Sequence, residues 1–336
     1  MRFAERLTAA WYRPHLTPLT AALWPLSLVF RATVATRRFL YRVGVLASSR
    51  VRAPVIVVGS IVVGGTGKTP LARALAVALA LERWHPGLVA RGYGGTERGA
   101  RAVRQGDDPS IVGDESLLLA AEGFPVWIGR SRVAASRALL AAHSDCDVVI
   151  ADDGLQHYAL QRDFEIAVID GERGLGNGAM LPAGPLREPQ RRLGDVDAVV
   201  RLLAPDAASA QAGEIALRYE PLPWVNLVRP DAVPDLDAWR RGSVHALAGI
   251  GDPERFFASV RRLGLDPVCH AFPDHHRYRA EEVRFTDAAA ILMTEKDAVK
   301  CAAFADARFW YLPIRACIDP ALIARLTTTL RGPQAA

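Results

Sequence analysis

The sequence predicts an α/β fold in two domains, with mostly parallel sheets and a P-loop NTPase-like first domain. A smaller second α/β domain and a membrane-associated N-terminal helix complete the expectation. Three observations lead there. Apolar, β-branched runs alternate with helical stretches in both halves of the chain, the pattern of parallel sheets covered by helices. A glycine turn ending in Lys68 and Thr69 joins one such run to a helix. Positive charge gathers at one end: residues 1–52 hold nine arginines and one acid, Glu5, whereas the other 284 residues hold 32 basic and 35 acidic side chains.

That N-terminal charge argues against a nucleic-acid surface spread over the fold and for a local anionic partner such as a membrane face. Within residues 1–50, residues 16–30 carry no charge but include Pro18 and Pro25. The stretch is short for a transmembrane helix, which needs about 20 apolar residues. Arg2, Arg6 and Arg13 precede it as in a signal peptide, but Arg31, Arg37 and Arg38 follow without a small-residue cleavage site. Trp11, Tyr12, Trp24, Phe30 and Phe39 among the arginines suit a helix lying in the membrane interface.

The first domain is expected over residues 51–215. Residues 55–58 read as a buried strand and residues 71–81 as a helix. Between them stands a phosphate-binding turn, and Val62, Val63, Gly64, Gly65, Thr66, Gly67, Lys68 and Thr69 form the expected nucleotide-binding run. Glycines let consecutive N–H groups curl around an anion, and the helix N-terminus adds unpaired donors. Lys68 can reach β- and γ-phosphates, and the Thr69 hydroxyl can ligand magnesium. The usual pattern has glycine where Val62 stands, and its common variant has lysine where Val63 stands.

Further strands are expected over residues 87–90, 124–128, 147–151, 164–170 and 197–203, with helices over 116–121 and 131–143. Residues 96–110 and 171–189 read as loops. The strand at 87–90 runs into Arg91-Gly-Tyr93, at a strand end where ligands of α/β sheets bind. The strand at 147–151 ends in Asp152 and Asp153. Adjacent carboxylates repel unless a cation shares them, which suits the magnesium side of a phosphate-loop enzyme. Asp114 and Glu115 are a second acidic pair at a helix start, where capping also suits an acid.

Residues 216–242 are expected to connect the domains. The second, 243–330, has strands at 244–248, 268–272, 289–293 and 310–314 and helices at 253–263, 280–285, 297–304 and 320–330. Two polar loops, Asp274-His275-His276 and Thr294-Glu-Lys-Asp297, leave the same sheet edge, and a histidine there can serve as general base for an alcohol. The four cysteines are far apart, with no Cys-x-x-Cys, and read as reduced. Lysine is rare: Lys68, Lys296 and Lys300 are the only three, beside 38 arginines.

Taken together, Gly64-Gly-Thr-Gly-Lys-Thr-Pro70, Arg91-Gly-Tyr-Gly-Gly95, Gly113-Asp-Glu115, Asp152-Asp-Gly-Leu-Gln-His157, Leu181-Pro-Ala-Gly-Pro-Leu-Arg187, Asp274-His275 and Met293-Thr-Glu-Lys-Asp-Ala-Val-Lys300 resemble the tetraacyldisaccharide 4′-kinases of lipid A synthesis. The resemblance runs from the N-terminal helix to about residue 315, and the family's loop has the same departure at Val62. It implies ATP, Mg²⁺ and a glycolipid acceptor, tetraacyldisaccharide 1-phosphate, at the cytoplasmic face of the inner membrane. It implies that Asp114 and His275 act on the sugar hydroxyl, with Lys68 on the transferred phosphate. Asp152, Asp153 and Gln156 match the metal-side motif, with Thr69 and Glu115 beside them, and Arg91 and Tyr93 fall on the substrate side. The second domain is expected to close over the nucleotide. The rival reading is a membrane-bound ATPase or switch that moves a protein partner.

Overall fold

The structure, a computed structural model, describes residues 3–204, 207 and 209–331, so Arg2 lies outside the described residues. Three helices open the chain: α1 (Phe3–Trp11), α2 (Pro18–Ala22) and α3 (Trp24–Arg42). The next stretch holds β1 (Val55–Gly59), α4 (Lys68–Leu81), β2 (Pro86–Ala90), β3 (Arg101–Val103), α5 (Pro109–Val112), α6 (Asp114–Ala120) and β4 (Val126–Ile128). It continues with α7 (Arg132–Ala142), β5 (Val148–Asp152), β6 (Phe164–Asp170), β7 (Ala198–Leu202) and β8 (Ile215–Pro221). Then come β9 (Val225–Asn226), α8 (Leu236–Arg241), β10 (Ser243–Ala248), α9 (Pro253–Arg262) and β11 (Val268–Ala271). The described chain ends with β12 (Ala288–Thr294), α10 (Glu295–Cys301), β13 (Phe309–Leu312), β14 (Ile314–Ile318) and α11 (Pro320–Arg331).

Nine strands form one sheet in the order β14-β8-β7-β6-β1-β5-β2-β4-β3, parallel except for β3 and β14 at its edges. Every residue of β1, β2 and β5 is buried, because helices cover both faces, and this is why the sequence shows continuous apolar runs there instead of alternation. One face packs Leu71, Leu75 and Leu79 of α4 with Leu322 and Leu326 of α11. The other packs Val133 and Leu139 of α7, with Phe30 and Val34 of α3 against that cluster. Five strands form the second sheet, β11-β10-β12-β13-β9, parallel but for β9.

Sheet membership cuts across the expected boundaries. The 216–242 stretch, expected as a connection, contains all but the first residue of β8, together with β9 and α8. Strand β14 leaves the second sheet and pairs antiparallel with β8, so residues 314–331 return to the first core and do not belong with 243–312. The loop over 96–110 holds the short edge strand β3. The helix expected over 280–285 is one 3₁₀ turn, Ala280–Glu282.

The N-terminal helices pack partly on the protein. The Trp11 indole donates to Pro182 O (2.9 Å), and the Tyr12 ring lies under Arg173. Ser27 is buried and bonds Met180 O and the Ala183 N–H, both at 2.9 Å. Trp11, Tyr12 and Phe30 therefore face protein, whereas Trp24, Leu26, Leu28, Val29 and Phe39 remain exposed. Among the described residues no helix is long and apolar enough to cross a membrane.

Candidate active site

The carboxyl ends of β1, β2 and β5 meet those of β10, β11 and β12, and nearly all the singled-out residues lie along that seam. The turn after β1 is shaped by glycine: Gly64 (φ 103°) and Gly67 (φ 90°) adopt left-handed backbone that a side chain would strain. Gly67 caps α4, and a Cβ there would also strike the Tyr219 hydroxyl. The N–H groups of residues 64–67 find no acceptor among the described residues. Two members of the expected run differ. Val62 is 2% exposed in the core, and its N–H goes to Ser60 Oγ (3.0 Å). The Val63 N–H goes to Pro185 O (3.0 Å). Both donors are used internally, so the run of unpaired N–H groups begins at Gly64.

Lys68 folds back over this turn, 3.3 Å from Gly64 O and 3.8 Å from Asp153 Oδ1. Thr69 Oγ1 donates to Asp152 Oδ2 (2.7 Å). The two adjacent acids behave oppositely. Burial, reinforced by Glu115, pushes the Asp152 carboxyl up to about 7. Burial works the same way on Asp153, but Lys68, Arg187 and Arg132 outweigh it and hold that carboxyl below its ordinary range. Arg187 grips Asp153 at 2.9 and 3.1 Å.

This geometry divides the expected metal ligands. Thr69 and Asp152 are together, with the Glu115 charge felt at Asp152. Asp153 is already neutralised by cations. Gln156 is turned away, donating to Ser60 O (3.1 Å) and Glu188 Oε1 (2.8 Å). Among the described residues no three His, Cys, Asp or Glu side chains form a ready metal cage. A hydroxyl with one or two carboxylates fits Mg²⁺, which keeps waters and takes phosphate oxygens as its other ligands.

Across the seam, His275 Nδ1 lies 3.0 Å from both oxygens of Asp114, 161 residues away in sequence. His275 has φ 60°, and Asp274 Oδ1 accepts its N–H (3.0 Å). Asp114 is in the first turn of α6 and does not cap it; Gly113 is the cap residue. Its carboxylate is free to face the histidine. Burial raises the Asp114 carboxyl, but His275, Lys296 and Lys300 outweigh this and keep it below the ordinary range.

The Tyr93 ring packs 4.8 Å from the His275 ring while remaining 57% exposed, and Arg91 is exposed at the end of β2. His276 turns to its own sheet, 3.2 Å from Glu282 and stacked on Phe272. The seam is fastened elsewhere: Arg73 of α4 holds Glu295 at 3.0 Å through both carboxylate oxygens, and Arg173 donates to Gly251 O (2.9 Å).

A phosphate-type turn, an acid-bearing strand end and a histidine–aspartate pair are thus gathered in one cleft. The family model for tetraacyldisaccharide-1-P 4′-kinase matches residues 19–331. The chain belongs to the tetraacyldisaccharide 4′-kinase family. It is 49% identical over 328 residues to the tetraacyldisaccharide 4′-kinase of Alkalilimnicola ehrlichii, and 46% identical over 330 residues to that of Methylobacillus flagellatus, each match covering 97% of both chains. The crystal structure of LpxK from Aquifex aeolicus in complex with ATP is similar with a TM-score of 0.78 and 26% identity, over 93% of this chain and 99% of that one. The chain is accordingly a kinase of lipid A biosynthesis, and membership decides against the ATPase-switch reading.

Sequence reasoning left Lys296 and Arg187, which lie within the family's motifs, and Arg132, which does not, without roles. Arg132 donates to Asp153 O (3.2 Å), and burial pulls its guanidinium down to about 10 despite Asp153 and Asp152. For Lys296 a signal existed in its rarity: all three lysines of the chain stand at this seam.

Proposed function

We propose that the chain uses ATP and Mg²⁺ to phosphorylate the 4′-hydroxyl of tetraacyldisaccharide 1-phosphate, giving the 1,4′-bisphosphate, with His275 as general base. The observation that carries this reading is the His275–Asp114 pair. A carboxylate accepts only, so the imidazole presents N–H to Asp114 from Nδ1 and keeps its lone pair on Nε2. Asp114 fixes the tautomer and steadies the imidazolium that forms, as the acid of a triad does. Lys68 and the free N–H groups of the turn after β1 hold the phosphates. Thr69, Asp152 and Glu115 would hold Mg²⁺, which when bound neutralises charge on the transferring phosphate. Arg91 and Tyr93, exposed beside His275, take the sugar side, and residues 243–312 act as the lobe that closes the cleft.

The test is label transfer from γ-labelled ATP to the glycolipid. His275→Ala should lower kcat by about 10²-fold or more with nucleotide Kd little changed, because a positioned base contributes about 10²–10⁴-fold. Asp114→Ala should fall as far, and the double variant no further. A His275→Ala variant that loses ATP binding instead would remove the base assignment.

The same reading places the protein on the cytoplasmic face of the inner membrane. The exposed Trp24, Leu26, Leu28, Val29 and Phe39 are interspersed with Arg31, Arg37 and Arg42, a composition suited to an anionic interface. Deleting residues 1–31 should release the protein from anionic vesicles and raise KM for glycolipid more than KM for ATP. Unchanged sedimentation with vesicles would put the anchor elsewhere.

A further inference from the structure

Lys296 occupies the point where the base would act. Its Nζ lies 3.1 Å from Glu115 Oε1, 3.0 Å from Asp274 Oδ1 and 3.3 Å from His275 Nε2. Three acceptors match the three N–H bonds of an ammonium. The side chain is only 14% exposed. Burial works against its charge, but Glu115, Asp274 and Asp114 outweigh it and hold Lys296 above the ordinary lysine range. The backbone around it is fixed from two sides. Glu295 is gripped by Arg73 of α4, and the Thr294 hydroxyl accepts the Asp297 N–H (3.2 Å) at the start of α10. Motion is therefore left to the side chain.

With Nδ1 donating to Asp114, the Nε2 lone pair of His275 is what would accept the alcohol's proton. In this structure that lone pair faces Lys296. An ion pair made only for stability would need the two carboxylates and no imidazole. Resting on the kinase reading above, we propose that Lys296 is a phosphate-contacting residue that caps Nε2 of His275 in the free protein and passes to the transferring phosphoryl oxygens when ATP is bound. The exchange replaces a neutral acceptor by an anionic one, a stronger partner for an ammonium. It also exposes the base only when a phosphate is present to be transferred. The sugar 4′-oxygen then bonds to the γ-phosphorus, the bond from that phosphorus to the β–γ bridging oxygen breaks, ADP departs with the electron pair, and the hydroxyl proton goes to Nε2.

The residue type fits the task. An ammonium is a compact charge on a flexible stem and can trade one acceptor for another, whereas guanidinium offers a rigid planar fork. In a chain with 38 arginines, Lys68, Lys296 and Lys300 stand together here. Lys300 is buried, 2.7 Å from Asp297 Oδ1 and 4.0 Å from Asp114 Oδ2.

The experiment uses the full chain carrying Lys296→Met or Lys296→Arg. Readouts are transfer to detergent-solubilised tetraacyldisaccharide 1-phosphate, Kd for a non-hydrolysable ATP analogue, melting temperature, and carbethoxylation of His275 followed by peptide mass mapping. Lys296→Met should lower kcat by about 10²-fold or more, a larger loss than that in affinity for the nucleotide analogue, because the contact strengthens as charge develops on the transferring phosphoryl oxygens. His275 should be modified faster in that variant than in the free wild-type protein, because its lone pair is uncovered. Lys296→Arg should not restore kcat. The proposal is overturned if Arg restores near-normal turnover, or if Lys296→Met keeps kcat within about threefold of wild type. Transfer by the wild-type protein is the control that separates failure of this proposal from failure of the kinase reading.

Discussion

The turn after β1 and the turn after β10 start from the same local design. Each follows a largely buried strand inside its sheet, each contains glycines, and each leads into a helix with proline in its first turn. They differ in what is left free. In the first, the N–H groups of residues 64–67 have no internal acceptor, and Lys68 follows Gly67. In the second, the Gly249 N–H goes to Asp297 (3.1 Å), Gly251 O accepts from Arg173 (2.9 Å), and the next residue is Asp252, 3.3 Å from the same arginine. One turn is open to an anion; the other is fastened and carries the opposite charge. Anion binding thus depends less on the shape of a glycine turn than on its unused donors and on the sign of the next side chain.

Lys68→Ala tests the open turn and should have the largest effect. Removing one preorganised donor to developing charge costs about 10²–10³-fold in rate. The melting temperature should change little, since Lys68 makes a loop contact and a 3.8 Å ion pair with Asp153, which Arg187 also holds. Phosphate transfer and thermal unfolding measured on one preparation decide it. Near-normal turnover would mean that the charge difference between the turns has no functional weight.

Gly251→Ala tests the fastened turn. A Cβ at residue 251 would lie 3.1 Å from Gly65 N and 3.6 Å from Gly65 Cα. Both are backbone atoms, so the turns must separate by a few tenths of an ångström. Overpacking of this kind costs about 1–3 kcal/mol. The expected outcome is about a tenfold loss of kcat with nucleotide Kd less affected, because reaction needs the His275 side aligned to the phosphate and a shift of this size is felt in rate. Arg73→Ala in the same background should add little, since both loosen one seam.

The two turns also mark what was legible in the sequence. The strand, glycine turn and Lys68 are contiguous, so local pattern reveals them. The His275–Asp114 pair joins residues 161 apart and became visible only through the family resemblance. The return of β14 and α11 to the first sheet is equally non-local. Apolar periodicity says that Leu322 and Leu326 are buried, but not against which core. Strand β3 escaped because three edge residues carry too little periodicity to separate from a loop. Val62 and Val63 were placed with the nucleotide by motif alignment; their N–H partners, Ser60 and Pro185, are set by the fold around them.

The smallest effect is expected on the other side of the same contact, at Gly65. Its backbone is outside the left-handed region, unlike Gly64 and Gly67. A Cβ at residue 65 would meet only Gly251 N, at 4.0 Å, an ordinary van der Waals distance. Alanine would keep the N–H and reduce the freedom of the unfolded chain, a gain of about 0.4–1 kcal/mol. Gly65→Ala should therefore raise the melting temperature by about 1–3 °C and leave kcat within about twofold. The asymmetry with Gly251→Ala is the informative quantity, because both methyl groups enter one gap from opposite walls. If the turns hold this separation throughout turnover, 4.0 Å is harmless and 3.1 Å is not. Equal damage from both substitutions would mean that the gap narrows further with nucleotide bound, and that the turn after β10 moves onto the phosphates as well as holding the seam.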